Sequence, residues 1–187
     1  MELPFTPVLP VRTQRLLLRE FRPGDYDELF GFHSDPSNVL YVPFEARTPE
    51  EMRVALDRKL AGTSLAGAGD HLDLAVTLHD GTLVGDLVVM LHAVEHGAVE
   101  VGWIFDPSHG GRGYATEAVR ALLELVFTEL HARRAVARVD ARNVASLRLC
   151  ERVGMRREAE LVENEVFKGA LSTEIDFALL SREWPVP

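Results

Sequence analysis

Between Ala115 and Leu130 apolar residues return every three or four positions, at Ala115, Ala118, Val119, Leu122, Leu123, Val126, Phe127 and Leu130, with Glu117, Arg120 and Glu124 between them. That spacing predicts an amphipathic helix with one long face against a core. Just before it stand Gly110, Gly111 and Gly113, and before these Ala98 to Phe105 reads as a strand ending at Asp106-Pro107. A strand, a glycine-rich turn and a long core helix in that order place the chain in the α/β class.

The rest of the chain extends this pattern. Arg15 to Phe21 reads as a first strand stopped by Pro23-Gly24, and Asp25 to Phe32 suits a short helix. Thr48-Pro49-Glu50-Glu51 combines a capping-box Thr, a proline at the first helical position and a Glu at the third, so a helix starts there. Leu72 to Leu78 and Thr82 to Leu91 are strand-like runs joined through His79-Asp80-Gly81, whose Asp-Gly favours a tight hairpin. Ala135 to Val139 reads as a strand and Val144 to Arg152 as a short helix closed by Gly154; strands at Arg156 to Phe167 and Thr173 to Leu180 end the pattern. This order predicts a single domain over residues 1–187, with a mixed, mostly antiparallel sheet of about seven strands flanked by helices.

Charge and composition exclude several functions. Lys and Arg number 20 against 29 Asp and Glu, a net charge of -9, so the chain as a whole repels a phosphate backbone and nucleic acid is not expected as a partner. No apolar run has the roughly 20 residues needed to cross a bilayer, and Met1-Glu2-Leu3-Pro4-Phe5 lacks the basic-then-apolar pattern of a secretory leader. No membrane association and a cytoplasmic location are the expectations, and the lone Cys150 agrees with a reducing compartment. None of the 7 histidines falls at a metal-ligand spacing, so no metal is expected.

The chemistry concentrates in the glycine loop. Residues without a Cβ let backbone N–H groups turn toward a ligand, and a helix N-terminus adds roughly half a positive charge, an arrangement that favours a pyrophosphate. No Gly-Lys-Ser/Thr follows and no Gly-x-Gly-x-x-Gly is present, which sets aside the Walker loop and the dinucleotide fingerprint. Taken alone, the glycines serve equally well as a tight strand-to-helix turn.

Context narrows the choice. Val101-Gly102-Trp103-Ile104-Phe105, then Gly111-Arg112-Gly113-Tyr114-Ala115-Thr116-Glu117-Ala118, then Asn143-Val144-Ala145-Ser146 and Glu151-Arg152-Val153-Gly154-Met155 resemble the GNAT acetyltransferases. Together with Thr13-Gln14-Arg15-Leu16-Leu17-Leu18-Arg19 and Phe177 to Trp184, they are most similar to the subgroup containing the ribosomal-protein N-terminal acetyltransferases, over roughly Thr13 to Trp184. The resemblance implies a GNAT-like fold with splayed central parallel strands and acetyl-coenzyme A as co-substrate. It implies that Gly110, Gly111, Arg112, Gly113, Tyr114, Ala115 and Thr116 hold the pyrophosphate, and that Trp103, Ile104 and Phe105 run along the pantetheine arm. Asn143 and Arg152 are further cofactor contacts by the same resemblance. Gly110 departs from the Gln/Arg that the family motif carries there, which removes one side-chain contact.

Acetyl transfer requires a neutral amine, a donor for the tetrahedral oxyanion and a proton for the departing thiolate. By resemblance Ser146 is the candidate acid, and Asn143 orders the pantetheine arm or a water; both residue types also cap helices. Glu100 is the candidate base, because a carboxylate alternating with Val99 and Val101 on a central strand is functional, paired or, on an open face, merely solvated. Cys150 sits on an apolar helix face and reads as a small hydrophobe. Glu158, Glu160, Glu163 and Glu165 alternate along strand-like sequence and form either an acidic rim for a cationic amine or a solvated face. The expected activity is N-acetylation of a primary amine, on a protein N-terminus or a small molecule, by direct attack in a ternary complex. The competing reading is a non-catalytic acyl-coenzyme A sensor; a homodimer is compatible with either.

Overall fold

In the computed structural model, which describes residues 1–185, one sheet of eight strands organises the chain. In chain order its strands are β1 (Val11–Arg12), β2 (Leu16–Arg19), β3 (His71–Leu78), β4 (Leu83–Ala93), β5 (Ala98–Phe105), β6 (Arg134–Asp140), β7 (Arg156–Phe167) and β8 (Ala170–Leu180). They lie in the order β1-β2-β3-β4-β5-β6-β8-β7, and only β5 and β6 are parallel. The two-residue β1 is the strand that the sequence pattern does not reveal, since Val11–Arg12 is too short to show alternation.

Four helices cover the sheet: α1 (Tyr26–His33), α2 (Pro49–Ala61), α3 (Tyr114–Thr128) and α4 (Val144–Arg152). Thr48 caps α2 with the expected reciprocal box, its hydroxyl accepting from Glu51 N while Glu51 accepts from Thr48 N. The apolar face of α3 packs through Ala118, Val119, Leu122, Leu123 and Val126, none more than 1 % exposed, onto the side of the sheet that carries Val99 and Val101. Burying a side chain of that size stabilises by about 1.5–3 kcal/mol, so this face anchors the long helix. On the other side, α1 and α2 pack with Ala75, Leu83 and Ile104 in a second, smaller cluster.

The feature that creates a site is an interrupted pairing. β5 and β6 pair only through Ala98, Val99 and Glu100 against Arg134, Ala135 and Val136. Beyond Glu100, β5 stays with β4 and β6 stays with β8, so Val101–Phe105 and Ala137–Asp140 diverge. A wedge opens in the middle of the sheet, with α3 starting beside β5 and α4 following β6.

Candidate active site

The glycine loop leads from β5 into α3 through a short turn at Pro107–His109, where the Asp106 carboxylate accepts from Ser108 N. Gly111 and Gly113 have φ of 73° and 80°, a region that L side chains rarely adopt, and Gly113 is the N-cap of α3. That cap supplies no side-chain acceptor. Among the described residues, the N–H groups of Gly111 to Thr116 find no protein acceptor, and the first to do so is Glu117 N, bonded to Gly113 O. A row of free donors at the positive end of a 15-residue helix fits a pyrophosphate, and open space at Gly111 leaves room for it.

The loop is clamped from the turn that precedes β2. Glu117, in the first turn of α3, accepts from Thr13 Oγ1 (2.6 Å), Arg15 N (2.8 Å) and Arg15 Nε (2.6 Å). Arg15 in turn donates through Nη1 to Arg112 O at 2.8 Å and lies over the Tyr114 ring. Burial pushes the Glu117 carboxyl up, but Thr13 and Arg15 outweigh it and hold the group below the usual range. On the other side Arg152 Nε donates to Thr116 Oγ1 at 3.3 Å, which places Arg152 beside the loop.

Across the wedge stand the two polar candidates. Asn143 caps α4, its Oδ1 accepting from Ser146 N at 3.1 Å, so the capping role weighed for it is realised. Ser146 Oγ accepts from Trp103 Nε1 at 3.2 Å. This bond ties α4 to β5 and leaves the Ser146 O–H free to point elsewhere. A cavity of about 450 Å³ fills the wedge and is lined by Gly102, Trp103, Ile104, Asn143 and Ser146 among others.

Glu100 faces the same cavity and also a second, of about 550 Å³, that opens beneath the β7–β8 hairpin. Its Oε2 lies 3.3 Å from Arg138 Nη1, so of the three readings for this carboxylate the structure gives pairing and a cleft, not open solvent. Asp140, Glu165, Glu174 and Lys168 line the second cavity. Burial, helped by the nearby Asp176 and only partly opposed by Arg138, pushes the Glu174 carboxyl up. The alternating acids of β7 divide: Glu165 faces this cavity, whereas Glu158 is held by Arg134 and Arg156 at about 2 and Glu160 pairs with Arg157. Lys168, at the hairpin tip, donates to Val39 O and Phe44 O and ties the hairpin to the segment between α1 and α2. Cys150 is buried, and burial pushes its thiol up to about 12, which suits packing and not nucleophilic attack.

A charged group behind the wedge escapes the sequence reading. His33, Asp86, Lys59 and Asp73 form a chain of close contacts from α1, β4, α2 and β3, all on the side of the sheet facing α1 and α2. The signal was present, since Asp73 and Asp86 interrupt the apolar runs of two strands and a buried carboxylate must be paired.

A free amide row at a helix start thus faces a sheet split between two parallel strands. The chain belongs to the GNAT acetyltransferases: the family described as an acetyltransferase (GNAT) domain matches residues 15–156. The N-acetyltransferase YnaD of Bacillus subtilis is 31% identical over 176 residues, 93% of this chain and 98% of that protein. An acetyltransferase of the GNAT family from Bacillus anthracis superposes with a TM-score of 0.84 at 29% identity, over 94% of this chain and all of that one. The spermidine N-acetyltransferase of Vibrio cholerae, solved with CoA and spermine, shares the fold at a TM-score of 0.77 and 20% identity, over 91% of this chain and 98% of that one. Acetyl transfer is thus the activity of the family. No helix among the described residues is long and apolar enough to cross a membrane.

Proposed function

We propose that residues 13–184 act as one acetyl-coenzyme A-dependent N-acetyltransferase domain that moves the acetyl group to a primary amine by direct attack in a ternary complex. The observation that carries this reading is the unpartnered amide row of Gly111 to Thr116 opening onto the wedge that Ser146 and Glu100 line. In it, Gly110 to Thr116 and Arg152 hold the pyrophosphate end, and Trp103, Ile104, Phe105 and Asn143 position the pantetheine end. Ser146 hands a proton to the departing sulfur. Glu100, beside Arg138, is the base that takes a proton from the acceptor's ammonium. The acids of the second cavity support a cationic acceptor, a small-molecule amine or a protein N-terminus, and a cytoplasmic setting agrees with the unpaired Cys150.

The experiment is a calorimetric titration with acetyl-coenzyme A, followed by a turnover assay on spermidine, n-butylamine and a short peptide with a free N-terminus. Micromolar binding that a Gly113→Trp variant lacks, with acetylation of at least one amine, is the expected result. Failure of the unmodified protein to bind acetyl-coenzyme A would remove the reading altogether; binding without acetylation of any of the amines would favour an acyl-coenzyme A sensor.

A further inference from the structure

Arg47, in the segment before α2, is a half-buried cation that lines the 450 Å³ cavity. Among the described residues no carboxylate forms an ion pair with it. The acids close enough to act on it are engaged elsewhere: Asp86 by His33 (2.8 Å) and Lys59 (3.1 Å), and Glu51 by Thr48 N (2.8 Å). Burial pushes the Arg47 guanidinium down, with Arg58 acting the same way against Glu51 and Asp86. Arg58, from α2, is exposed, lines the same cavity and bonds only through Nε, to His71 Nε2 at 3.1 Å. Two cations thus face one cavity from one side without a counter-ion in contact.

Packing occupies only part of Arg47. Its guanidinium lies over the Phe44 ring, 4.2 Å from the centroid, which uses the flat face and leaves the N–H fork in its plane. Nε is sealed without an acceptor, whereas the two Nη groups stay open and no protein acceptor takes them. A half-buried charge left in this way is costly, and an anion in the cavity would offset that cost. The cofactor's pyrophosphate is not that anion, because the amide row begins α3, which packs on the opposite side of the sheet from Phe44 and Ala46.

Backbone pairing fixes where this cationic end lies. Arg47 N donates to His33 O, His33 is bonded to Asp86, and Asp86 on β4 stands opposite Ile104 on β5. Glu100 stands at the other end, opposite Met90. Four residues of strand separate Glu100 from Ile104, about 13 Å along the backbone. Gly102, without a side chain, and Trp103, whose indole donates to Ser146, lie between them on the cavity wall. The cavity therefore has an acid at one end of this strand, open arginines toward the other, and the proposed proton donor between.

We propose that the acceptor is an amino acid whose reacting amine stands several bonds from its carboxylate, the carboxylate held by Arg47 and Arg58 while the amine faces Glu100. This inference rests on the N-acetyltransferase reading and narrows its acceptor. The carboxylate lies end-on against the Arg47 Nη groups, with Arg58 closing over it from the mouth of the cavity. A planar, singly charged group suits an arginine fork. A phosphate, with a charge of about -1.5 to -2, suits this end less, because Asp86, Asp73 and Glu51 stand near and repel the extra charge.

The test measures kcat/KM for γ-aminobutyrate and ε-aminocaproate beside n-propylamine and n-pentylamine, which are the same chains without the carboxylate. It uses the unmodified protein, Arg47→Gln and Arg58→Gln. In the unmodified protein at least one amino acid should exceed its matched amine by about tenfold or more, the worth of a charge-assisted carboxylate contact. That ratio should fall to within about threefold of one in Arg47→Gln and by a smaller factor in Arg58→Gln. The ratio is the readout because general damage to the fold lowers both acceptors alike. An Arg47 that only braces Phe44 predicts a ratio near one in the unmodified protein, or equal losses for both acceptors in Arg47→Gln; either result overturns the inference. O-phosphoethanolamine exceeding both amino acids would replace the carboxylate by a phosphate and overturn it too. If Arg47→Gln does not fold, as read by its melting temperature, the ratio in the unmodified protein and its fall in Arg58→Gln decide. Plain amines acetylated as well as their amino acids sink this inference alone; if none of the acceptors is acetylated, the N-acetyltransferase reading falls with it.

Discussion

The two walls of the wedge are built in different ways. The wall proposed for the cofactor is one continuous stretch, β5, the glycine loop and the first turn of α3, and it presents backbone N–H groups. The wall proposed for the acceptor is assembled from α1, β3, β4, α2, the segment around Phe44 and the β7–β8 hairpin, and it presents side chains. Backbone donors are indifferent to the side chains around them, so under the proposed function the first wall should tolerate Gly110 where the family carries Gln or Arg. The second has no such tolerance, because each contact depends on one residue from a different part of the chain. The difference teaches why a chain like this can keep one co-substrate while its acceptor is redefined.

If the comparison is right, damage to the first wall should act on binding and damage to the second on turnover. The largest effect is expected for Gly113→Trp: a φ of 80° strains any L side chain, and Arg15 Nη2 lies 3.4 Å from where a Cβ would stand. Acetyl-coenzyme A affinity should fall by more than about a hundredfold in calorimetry. An equal loss from a change on the acceptor wall would break the distinction. Next come Ser146→Ala and Glu100→Gln, which should each lower kcat about tenfold or more with acetyl-coenzyme A affinity nearly unchanged. Full activity in both would show that the wedge holds different catalytic groups.

A smaller effect sharpens the picture of the first wall. Glu117→Gln keeps the shape of the clamp but removes its charge, and the affinity for acetyl-coenzyme A should fall about fivefold, one hydrogen bond's worth. The sign of its pH dependence follows from the lowered carboxyl. The clamp is fully present above the ordinary glutamate range and is lost only as pH falls through the lowered value, so variant and parent should converge in acid. Unchanged affinity at pH 7 would mean that the loop keeps its shape without the clamp.

The smallest effect concerns stability. Asp140, on the floor of the second cavity, accepts from Arg142 Nη2 (2.6 Å), Arg142 Nε (2.9 Å), Arg142 N (2.8 Å) and Ser172 Oγ (2.8 Å), and the Arg142 guanidinium foremost holds its carboxyl at about 2. Its stabilising contribution is complete above the ordinary aspartate value of about 3.9 and fades as pH falls toward the lowered one. Asp140→Asn should therefore lower the melting temperature by a few degrees at pH 6, on the order of 1 kcal/mol, with the gap closing near pH 2. A gap of the same size at pH 2 would mean that Asp140 acts through shape alone.

The two walls also differed in how far the sequence disclosed them. The α3 periodicity, the Thr48 box and the Asp80-Gly81 turn are local signals, and the structure places helix, cap and hairpin where they predict. The glycine loop was legible because its conformation and its sequence occupy the same few positions. Ser146 was singled out through resemblance alone; its bond to Trp103 spans 43 residues and has no local signature. The Arg15–Glu117 clamp spans 102 residues, and the His33–Asp86 contact 53. Only the anomaly of an aspartate inside an apolar strand pointed to the latter, and it named no partner. Glu158 fits neither of its two readings, binding rim or solvated face: two arginines occupy it.

The divergence of β5 from β6 has a consequence for the protein's solubility and its exchange with solvent. Every second N–H and C=O of Val101–Phe105 points away from β4 into the gap, so the middle of the sheet contains what is in effect an exposed margin. Such margins invite foreign strands, and natural sheets usually post charges beside them. Glu100 and Arg138 stand across the mouth of this one as an ionic latch at the point where the two strands part. A flexible thread can slip past them, whereas a full β-strand, with its side chains on both faces, meets the latch. In deuterated water these central amides should exchange as though they lay at the rim of the sheet, while their neighbours on β4 remain protected.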